Sequence, residues 1–198
     1  AYVQAAIDRG LGVDDFAPWV ERFALKSKDE VGSALESYIL YGPGRMDRNR
    51  SDNALEFVGP KSSWVTVHKA KGVTPTTSQQ YEPASNGKAE RFIRTFENAA
   101  RTALHGVDKR LWEYAATFCS YVWNRISRKT GEKSPFERVR GWEPSTSYFR
   151  RFGCLAYAKV HTQRGKLDDK YERGIFLGDA ENSTYLVGVW RNDARCNE

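Results

Sequence analysis

Two acidic residues of this chain stand where carboxylates can meet a divalent metal ion. Asp52 lies in the stretch SDNALEF, directly after a segment with the character of a strand. Glu90 lies early in the stretch NGKAERFIRTF, which has the pattern of a helix. Mg²⁺ and Mn²⁺ prefer hard oxygen ligands, and two such ions roughly 3.5 to 4 Å apart can hold the nucleophile and the leaving oxygen of a phosphoryl displacement. Asp52 and Glu90 are therefore candidate metal ligands and catalytic residues.

Each acid also has an ordinary structural interpretation. Aspartate is common in turns, and SDN alone fits a turn. Glu90 precedes Arg94 by four residues, and such a pair stabilises an exposed helix by about 0.2–0.5 kcal/mol. The chain holds 25 acidic residues, so one pair of acids at this separation does not identify a site.

The strongest element signals are helical and surround the second acid. In KAERFIRTFENAARTAL an apolar stripe at helical spacing predicts an amphipathic helix that carries Glu90. KRLWEYAATFCSYVWNRIS predicts a second helix packed on more than one face, with Trp112, Tyr121 and Trp123 in the core. SKDEVGSALESYIL predicts a helix over 27–40, opened by a capping box of Ser27 and Glu30. Strands are predicted at 2–8 and 19–26, and the stretch WVTVHKAKGVTP predicts a further strand and turn.

The character of the chain changes near residue 140. FGCLAYAKV, RGIFLG and TYLVGVW predict three short strands with no helical pattern between them. Strands that alternate with helices and then strands alone indicate an α/β domain followed by a small all-β module. We expect the aromatic residues of this module to lie in its core, namely Phe152, Tyr157, Phe176 and Tyr185.

Charge and cysteine usage limit the classes of function. The net charge is +6; residues 1–85 hold 10 basic and 11 acidic residues, whereas residues 86–198 hold 21 and 14. A basic half favours a polyanionic partner such as nucleic acid, although a solvated surface with a modest positive bias fits equally well. The three cysteines and three histidines are scattered, which argues against structural zinc and for a reducing compartment. No run approaches the roughly 20 apolar residues of a membrane span, so we expect a soluble intracellular protein, nuclear or cytoplasmic, without a membrane partner.

Several stretches, in order and spacing, resemble the integrase of copia-type retrotransposons. The most specific are NGKAERFIRT and KLDDKYERGIFLG, and the resemblance runs from about Asp14 to Trp190. It implies a ribonuclease H-like core over residues 1–140, a mixed sheet flanked by helices, followed by a small SH3-like β-barrel over residues 141–198. That family's core holds Mg²⁺ or Mn²⁺ on an Asp, Asp, Glu triad, and Asp52 and Glu90 match its second and third acids. The implied function is metal-dependent joining of element-end DNA to target DNA.

The first acid of the triad has no clear match in this chain. Asp8 is the only acid ahead of the Asp14–Asp15 pair, and it stands too near that pair for acids on neighbouring strands. We expect the first ligand to lie upstream of the chain or to have been lost, which would leave an N-terminally incomplete core without strand-transfer activity. Ala54 and Leu55 replace two glycines that the family usually carries. The alternative function is therefore a non-catalytic nucleic-acid-binding remnant of a transposable-element polyprotein.

Basic residues near the acids extend the predicted site to nucleic acid. Lys88, Arg91 and Arg94 surround Glu90 in sequence and either bind the phosphates of a DNA end or solvate the helix. The partners predicted are element-end DNA and target DNA, with self-association left open. Cations of the β module form either a nucleic-acid face or a protein-binding surface: Arg150, Arg151, Lys159, Lys166, Lys170 and Arg173.

Overall fold

The computed structural model describes 19–21, 23, 25, 27, 30–42, 46–51, 55–59, 62–77, 87–159, 169–180 and 184–190. The side chains of 50, 55, 56 and 87–91 also lie outside this description. The described helices are α1 (Val31–Tyr41), α2 (Leu55–Val58), α3 (Ser63–Lys71), α4 (Gly87–Ala103), α5 (Trp112–Arg125) and α6 (Pro135–Arg140). The described strands are β1 (Arg48–Ser51), β2 (Thr74–Thr77), β3 (Leu155–Lys159), β4 (Tyr171–Ala180) and β5 (Thr184–Gly188). None of the described helices is long and apolar enough to cross a membrane.

The described residues divide into two compact units that interleave along the chain. One unit contains the described residues up to Glu97 together with Ser120–Thr146. The other contains Asn98–Cys119 and the described residues from Ser147 onward. The domains expected from sequence, 1–140 and 141–198, remain a prediction.

The first unit is built on a parallel strand pair joined through two helices. β1 and β2 pair in parallel, with Arg48 opposite Thr74 and Ser51 opposite Thr77. Parallel neighbours need a crossover connection, which here contains α2 and α3. α1 and α3 enclose a core with the strand flanks, formed by Val31, Ala34, Leu35, Tyr38, Met46, Trp64 and Val73.

The helix α1 follows the predicted pattern, but its start differs. Val31, Leu35 and Tyr38 are buried on one face, as their spacing predicts. Glu30 occupies the N-cap position without a side-chain cap, so the expected capping box with Ser27 is absent. The helix ends at Tyr41, before Gly42.

Two strand predictions in this unit fail among the described residues. The stretch predicted as a strand and turn from Trp64 is the helix α3, which Ser62 caps by accepting a hydrogen bond from the backbone N–H of Trp64. In the segment 19–26, the described residues 19–21, 23 and 25 lie in neither strand nor helix. Trp19, Phe23 and Leu25 nevertheless pack against the core, so the apolar pattern reports burial instead of a strand.

The second unit contains a three-stranded antiparallel sheet in the order β3-β4-β5. Its three strands confirm the sequence pattern, and a bulge interrupts the β4–β5 register between Phe176 and Gly178. Ala115, Phe152 and Leu177 form its buried cluster. A closed SH3-like barrel is not shown by the described strands and remains a prediction.

Candidate metal and nucleic-acid site

The strand that leads to Asp52 is fixed by backbone and side-chain pairing. β1 ends at Ser51, so Asp52 is the next residue along the chain, although it lies outside the described residues. Thr76 donates a hydrogen bond through its hydroxyl to the carbonyl oxygen of Asn49 at 3.0 Å, which ties β2 to β1 in addition to the strand ladder. In open α/β sheets, ligands bind beyond the carboxyl ends of parallel strands. The predicted turn acid therefore follows the end of β1 at which binding is expected.

Asn49 adds a buried polar group to this strand that the sequence did not indicate. Its side chain is buried, and neither amide atom has a hydrogen-bond partner within the described part of the chain. Buried amides ordinarily find partners, because an unmet one costs roughly 1–3 kcal/mol. The sequence offers only one indication of this burial, namely that Asn49 and Arg48 are neighbours on a strand and so point to opposite faces.

The helix α3 places a second unsatisfied polar group in the core of this unit. His68 is 1% exposed, and its Nδ1 donates to the carbonyl oxygen of Trp64 at 2.7 Å. Its Nε2 has no hydrogen-bond partner among the residues described. Burial lowers the pKa of His68, and the hydrogen bond to Trp64 offsets part of that effect. The ring is therefore held neutral inside the core, and its spacing of four residues from Trp64 gives its side of the helix but not its burial.

The helix α4 confirms the element predicted to carry Glu90. It begins at Gly87, so Glu90 lies in its first turn together with Lys88, and Arg91 follows. The helix macrodipole favours a negative charge in a first turn. The side chains of Lys88, Glu90 and Arg91 lie outside the described residues, so their predicted roles remain predictions. Arg94 is exposed on the same helix.

Aromatic residues pack the N-terminal half of α4, which carries Glu90 and Arg94, against α5. Phe92 contacts Phe96 with ring centroids 5.8 Å apart and meets the edge of Trp123 from α5 at 5.0 Å. Phe96 is buried. This packing leaves Arg94 exposed, which fits either predicted role of that cation, phosphate contact or solvation of the helix.

The aromatic residues of α5 follow the core prediction only in part. Trp112 is 47% exposed, so it is not a core residue. Tyr121 is half-buried under the guanidinium of Arg125, which lies 3.5 Å from the ring centroid. Trp123 is half-buried and carries the guanidinium of Arg128 at 4.1 Å. Cations that stack on the rings cover aromatic surface that the helical pattern assigned to the core.

The described part of the chain contains no group of three or more His, Cys, Asp or Glu side chains able to hold a metal ion. Asp52 and the side chain of Glu90 lie outside the described residues. The predicted metal site on these two carboxylates therefore remains a prediction.

No protein-family model matches the sequence. Among solved structures, the chain is similar to the catalytic core domain of BIV integrase, with 20% identity over 61% of this chain and 76% of that chain and a TM-score of 0.48. It is also similar to the HTLV-2 integrase catalytic core domain in complex with magnesium, in a trimeric form, with 14% identity over 63% of this chain and 78% of that chain and a TM-score of 0.49.

A third similar structure is a chain in the simian T-cell lymphotropic virus intasome, solved in complex with PP2A regulatory subunit B56 gamma. The match has 12% identity, covers 89% of this chain and 67% of that chain, and has a TM-score of 0.53. This TM-score is the highest of the three, and at such low identity it shows a shared fold alone. The chain thus shares its α/β fold with this chain of the intasome.

Proposed function

We propose that this chain is the integrase segment of a copia-type retrotransposon polyprotein and acts in DNA integration. Its reaction class is metal-dependent polynucleotidyl transfer, which joins element-end DNA to target DNA. The observation that carries the proposal is the shared fold with the intasome chain over 89% of the sequence. The positions of Asp52, directly after β1, and of Glu90, in the first turn of α4, support the same reading.

The chemistry of the donor set fits Mg²⁺ or Mn²⁺. Asp52 and Glu90 are hard carboxylate ligands carried next to a strand end and on a helix, and such elements give a metal site the rigidity it needs. When bound, the metal ions supply charge stabilisation at the transferred phosphate and activation of the attacking oxygen. Lys88, Arg91 and Arg94 would hold the phosphates of a DNA end beside the two carboxylates.

The chain taken alone is expected to bind DNA without completing strand transfer. Only two acids match the family's triad, and Asp8 is the single acid ahead of the Asp14–Asp15 pair. Without a third carboxylate, Asp52 and Glu90 would hold the metal ions with one ligand fewer than the family's triad provides.

A non-catalytic nucleic-acid-binding remnant is the second candidate function. The observation that favours it is the pair Ala54 and Leu55 after Asn53, where the resembling family usually has two glycines. Loss of glycine removes access to positive φ, which a tight turn beside Asp52 would need. In this alternative the fold and the basic surface persist, while Asp52 and Glu90 no longer hold metal.

Metal binding and DNA joining are measured separately to test these functions. Mn²⁺ binding to the whole chain is followed by calorimetry for the wild type, Asp52→Asn, Glu90→Gln and the control Glu97→Gln, which removes an exposed acid from the same helix. We expect binding in the wild type and in Glu97→Gln and its loss in the two site variants. Absent Mn²⁺ binding combined with salt-dependent DNA binding would support the remnant.

Joining is then assayed on element-end duplex DNA with Mg²⁺ or Mn²⁺. We expect at most trace product from this chain. Robust joining that Glu90→Gln abolishes would overturn the expected inactivity and would strengthen the assignment of the site. Robust joining that Glu90→Gln leaves unchanged would contradict the assignment itself.

A further inference from the structure

One end of the sheet in the second unit exposes large aromatic side chains. Tyr157 on β3 is 62% exposed, Tyr171 on β4 is 58% exposed, and Trp190, just after β5, is 59% exposed. Folded monomers expose single apolar residues routinely, but a contiguous group of aromatic rings marks an interaction surface. Tyr157 and Tyr185, both predicted to lie in the core of this module, are exposed instead.

The strand register brings these rings together with two cations. Tyr157 lies opposite Arg173, and Lys159 lies opposite Tyr171. Side chains at paired positions and at alternate positions of one strand share a face of the sheet. Tyr157, Lys159, Tyr171 and Arg173 therefore lie on one face, and all four are exposed.

Trp190 lies two residues after the end of the third strand. Gly188 lies opposite Ile175, which shares the face of Arg173. Val189 lies against Gly174 on the other face, its Cγ2 3.1 Å from the position a Cβ would take there. Trp190 is the next residue along the chain and is exposed. We call Tyr157, Lys159, Tyr171, Arg173 and Trp190 the open strip.

The strand residues of the open strip lie on the same face of the sheet as residues that pack in the core, but they are outside that packing. Further along β4 the same face is covered, because Leu177 is buried in the core cluster of this unit and Ile175 packs against it. Leu155 of β3, opposite Ile175, is 54% exposed, so the hydrophobic partner covers this face at β4 and not at β3. The rings at the other end lie outside that packing.

The charge of the open strip selects the kind of partner. Its five positions carry three aromatic rings, two cations and no acid. Within the part of the chain that the structure describes, neither Lys159 nor Arg173 forms an ion pair. Rings that alternate with cations offer stacking faces for bases and charges for phosphates, which is the composition of surfaces that bind single-stranded nucleic acid.

We propose that the open strip binds single-stranded nucleic acid, with unpaired bases stacked on Tyr157, Tyr171 and Trp190 and phosphates held by Lys159 and Arg173. A duplex keeps its bases paired and stacked on each other, so it offers the rings no free base faces. The inference rests on the proposed function in one respect, that nucleic acid is the partner. It adds a second nucleic-acid contact, made by residues other than those of the predicted metal site, that binds unpaired nucleotides.

The test measures binding of the whole chain in metal-free buffer to three probes of equal length: an oligothymidylate, an abasic strand and a duplex. The abasic strand keeps the phosphates and removes the bases. We expect the oligothymidylate to bind about tenfold or more tightly than the abasic strand. The variants Tyr157→Ser and Tyr171→Ser should each weaken oligothymidylate binding by about tenfold and leave abasic binding unchanged.

Matched variants separate stacking from damage to the fold. Tyr157→Phe keeps the ring and should bind like the wild type. Tyr114→Ser removes an exposed tyrosine on α5, outside the open strip, and should also bind like the wild type. Equal binding of oligothymidylate and abasic strand, or equal losses for both probes in Tyr157→Ser, would overturn the proposal. The assay contains no metal and does not measure DNA joining. Its result is therefore the same whether or not Asp52 and Glu90 bind metal.

Discussion

The neutral histidine in the core of the first unit links its stability to pH. Burial lowers the native pKa of His68 below its ordinary value. On acidification the unfolded chain therefore takes up this proton first. The contribution to the free energy of unfolding is complete above the unfolded pKa of about 6.5 and is lost as the pH falls below it toward the native pKa.

We expect His68→Phe to remove this part of the pH dependence. As the pH falls from about 7.5 through the unfolded pKa of about 6.5, the wild type should lose stability more steeply than the variant, by at most about 1.4 kcal/mol per pH unit. Urea unfolding at a series of pH values gives the comparison. Asn98→Ala, which changes an exposed residue without a titrating side chain, serves as the control and should keep the wild-type profile. Identical profiles for the wild type and His68→Phe would contradict the assignment of a neutral buried imidazole.

The side chain of Asn124 pairs with the backbone of Val20 as a neighbouring strand would. It is 3% exposed; its Oδ1 accepts from the N–H of Val20 at 2.9 Å, and its Nδ2 donates to the carbonyl oxygen of Val20 at 2.7 Å. One amide group thereby satisfies both polar groups of a residue that lies in no strand or helix. The helical pattern of α5 does not predict this contact, because Val20 is 104 positions away.

Asn124→Leu should destabilise the protein by about 2–3 kcal/mol, since it leaves two backbone groups without partners in a poorly solvated place. Asn124→Asp keeps the acceptor but turns a carboxylate oxygen toward the carbonyl of Val20, so it should also destabilise. Chemical denaturation measures both. Asn98→Ala, at an exposed asparagine, should change stability by no more than about 0.5 kcal/mol. A loss in Asn124→Leu as small as that in Asn98→Ala would exclude the pairing role.

At the scale of elements, a segment with one consistent pattern is predictable, whereas a segment with a mixed pattern is not. α1, α4 and α5 each repeat an apolar face over several turns, and β3, β4 and β5 are apolar segments bounded by turn residues. The strand prediction for α3 is wrong because Trp64, Val65 and Val67 are residue types typical of strands. The helix forms because Ser62 caps it and because Trp64, Val67 and His68, three and four residues apart, turn one face to the core or its edge.

The candidate site could be predicted only as far as its elements. The strand end before Asp52 and the helix that carries Glu90 follow from local patterns. The burial of Asn49 and His68 in the same unit does not, because these residues acquire their surroundings from strand pairing and from helix packing over long sequence distances. The exposure of Tyr157 is unpredictable for the same reason, since it depends on which end of the sheet the core covers.

The contact between α1 and α3 makes a glycine necessary. The N–H of Gly32 donates to the hydroxyl of Ser63 at 3.2 Å. A Cβ added at Gly32 would lie 2.6 Å from the Cβ of Ser63 and 2.8 Å from its backbone carbonyl carbon. The two helices could accommodate that atom only by moving apart.

Gly32→Ala should therefore lower the free energy of unfolding by about 1–2 kcal/mol, although alanine favours helix by up to about 1 kcal/mol over glycine. Ser33→Ala tests helix propensity alone, because Ser33 is the next residue of α1 and is exposed. Its stability should change by less than about 0.5 kcal/mol. Thermal or urea unfolding of the two variants decides the matter, and a gain of stability in Gly32→Ala would show that the helices are not in close contact.

At the scale of the whole molecule, positive charge is unevenly distributed along the chain. Residues 1–85 have 10 basic and 11 acidic residues, whereas residues 86–198 have 21 and 14. Cations in the first segment can be neutralised locally, as Lys71 is by Glu36 at 3.2 Å. If the proposed function is right, phosphate contacts come mainly from the second segment, and α4 supplies some of them through Arg94.

Salt dependence of DNA binding distinguishes a phosphate contact from a solvated charge. Each phosphate that a cation neutralises contributes about −0.9 to the slope of log affinity against log salt for duplex DNA. Arg94→Gln should therefore weaken duplex binding and make the slope shallower by about 0.9. Lys71→Gln removes the same charge from a cation already paired with Glu36 and should leave the slope unchanged. Fluorescence anisotropy over a salt series measures both, and equal slopes for Arg94→Gln and the wild type would assign Arg94 to solvation of the helix.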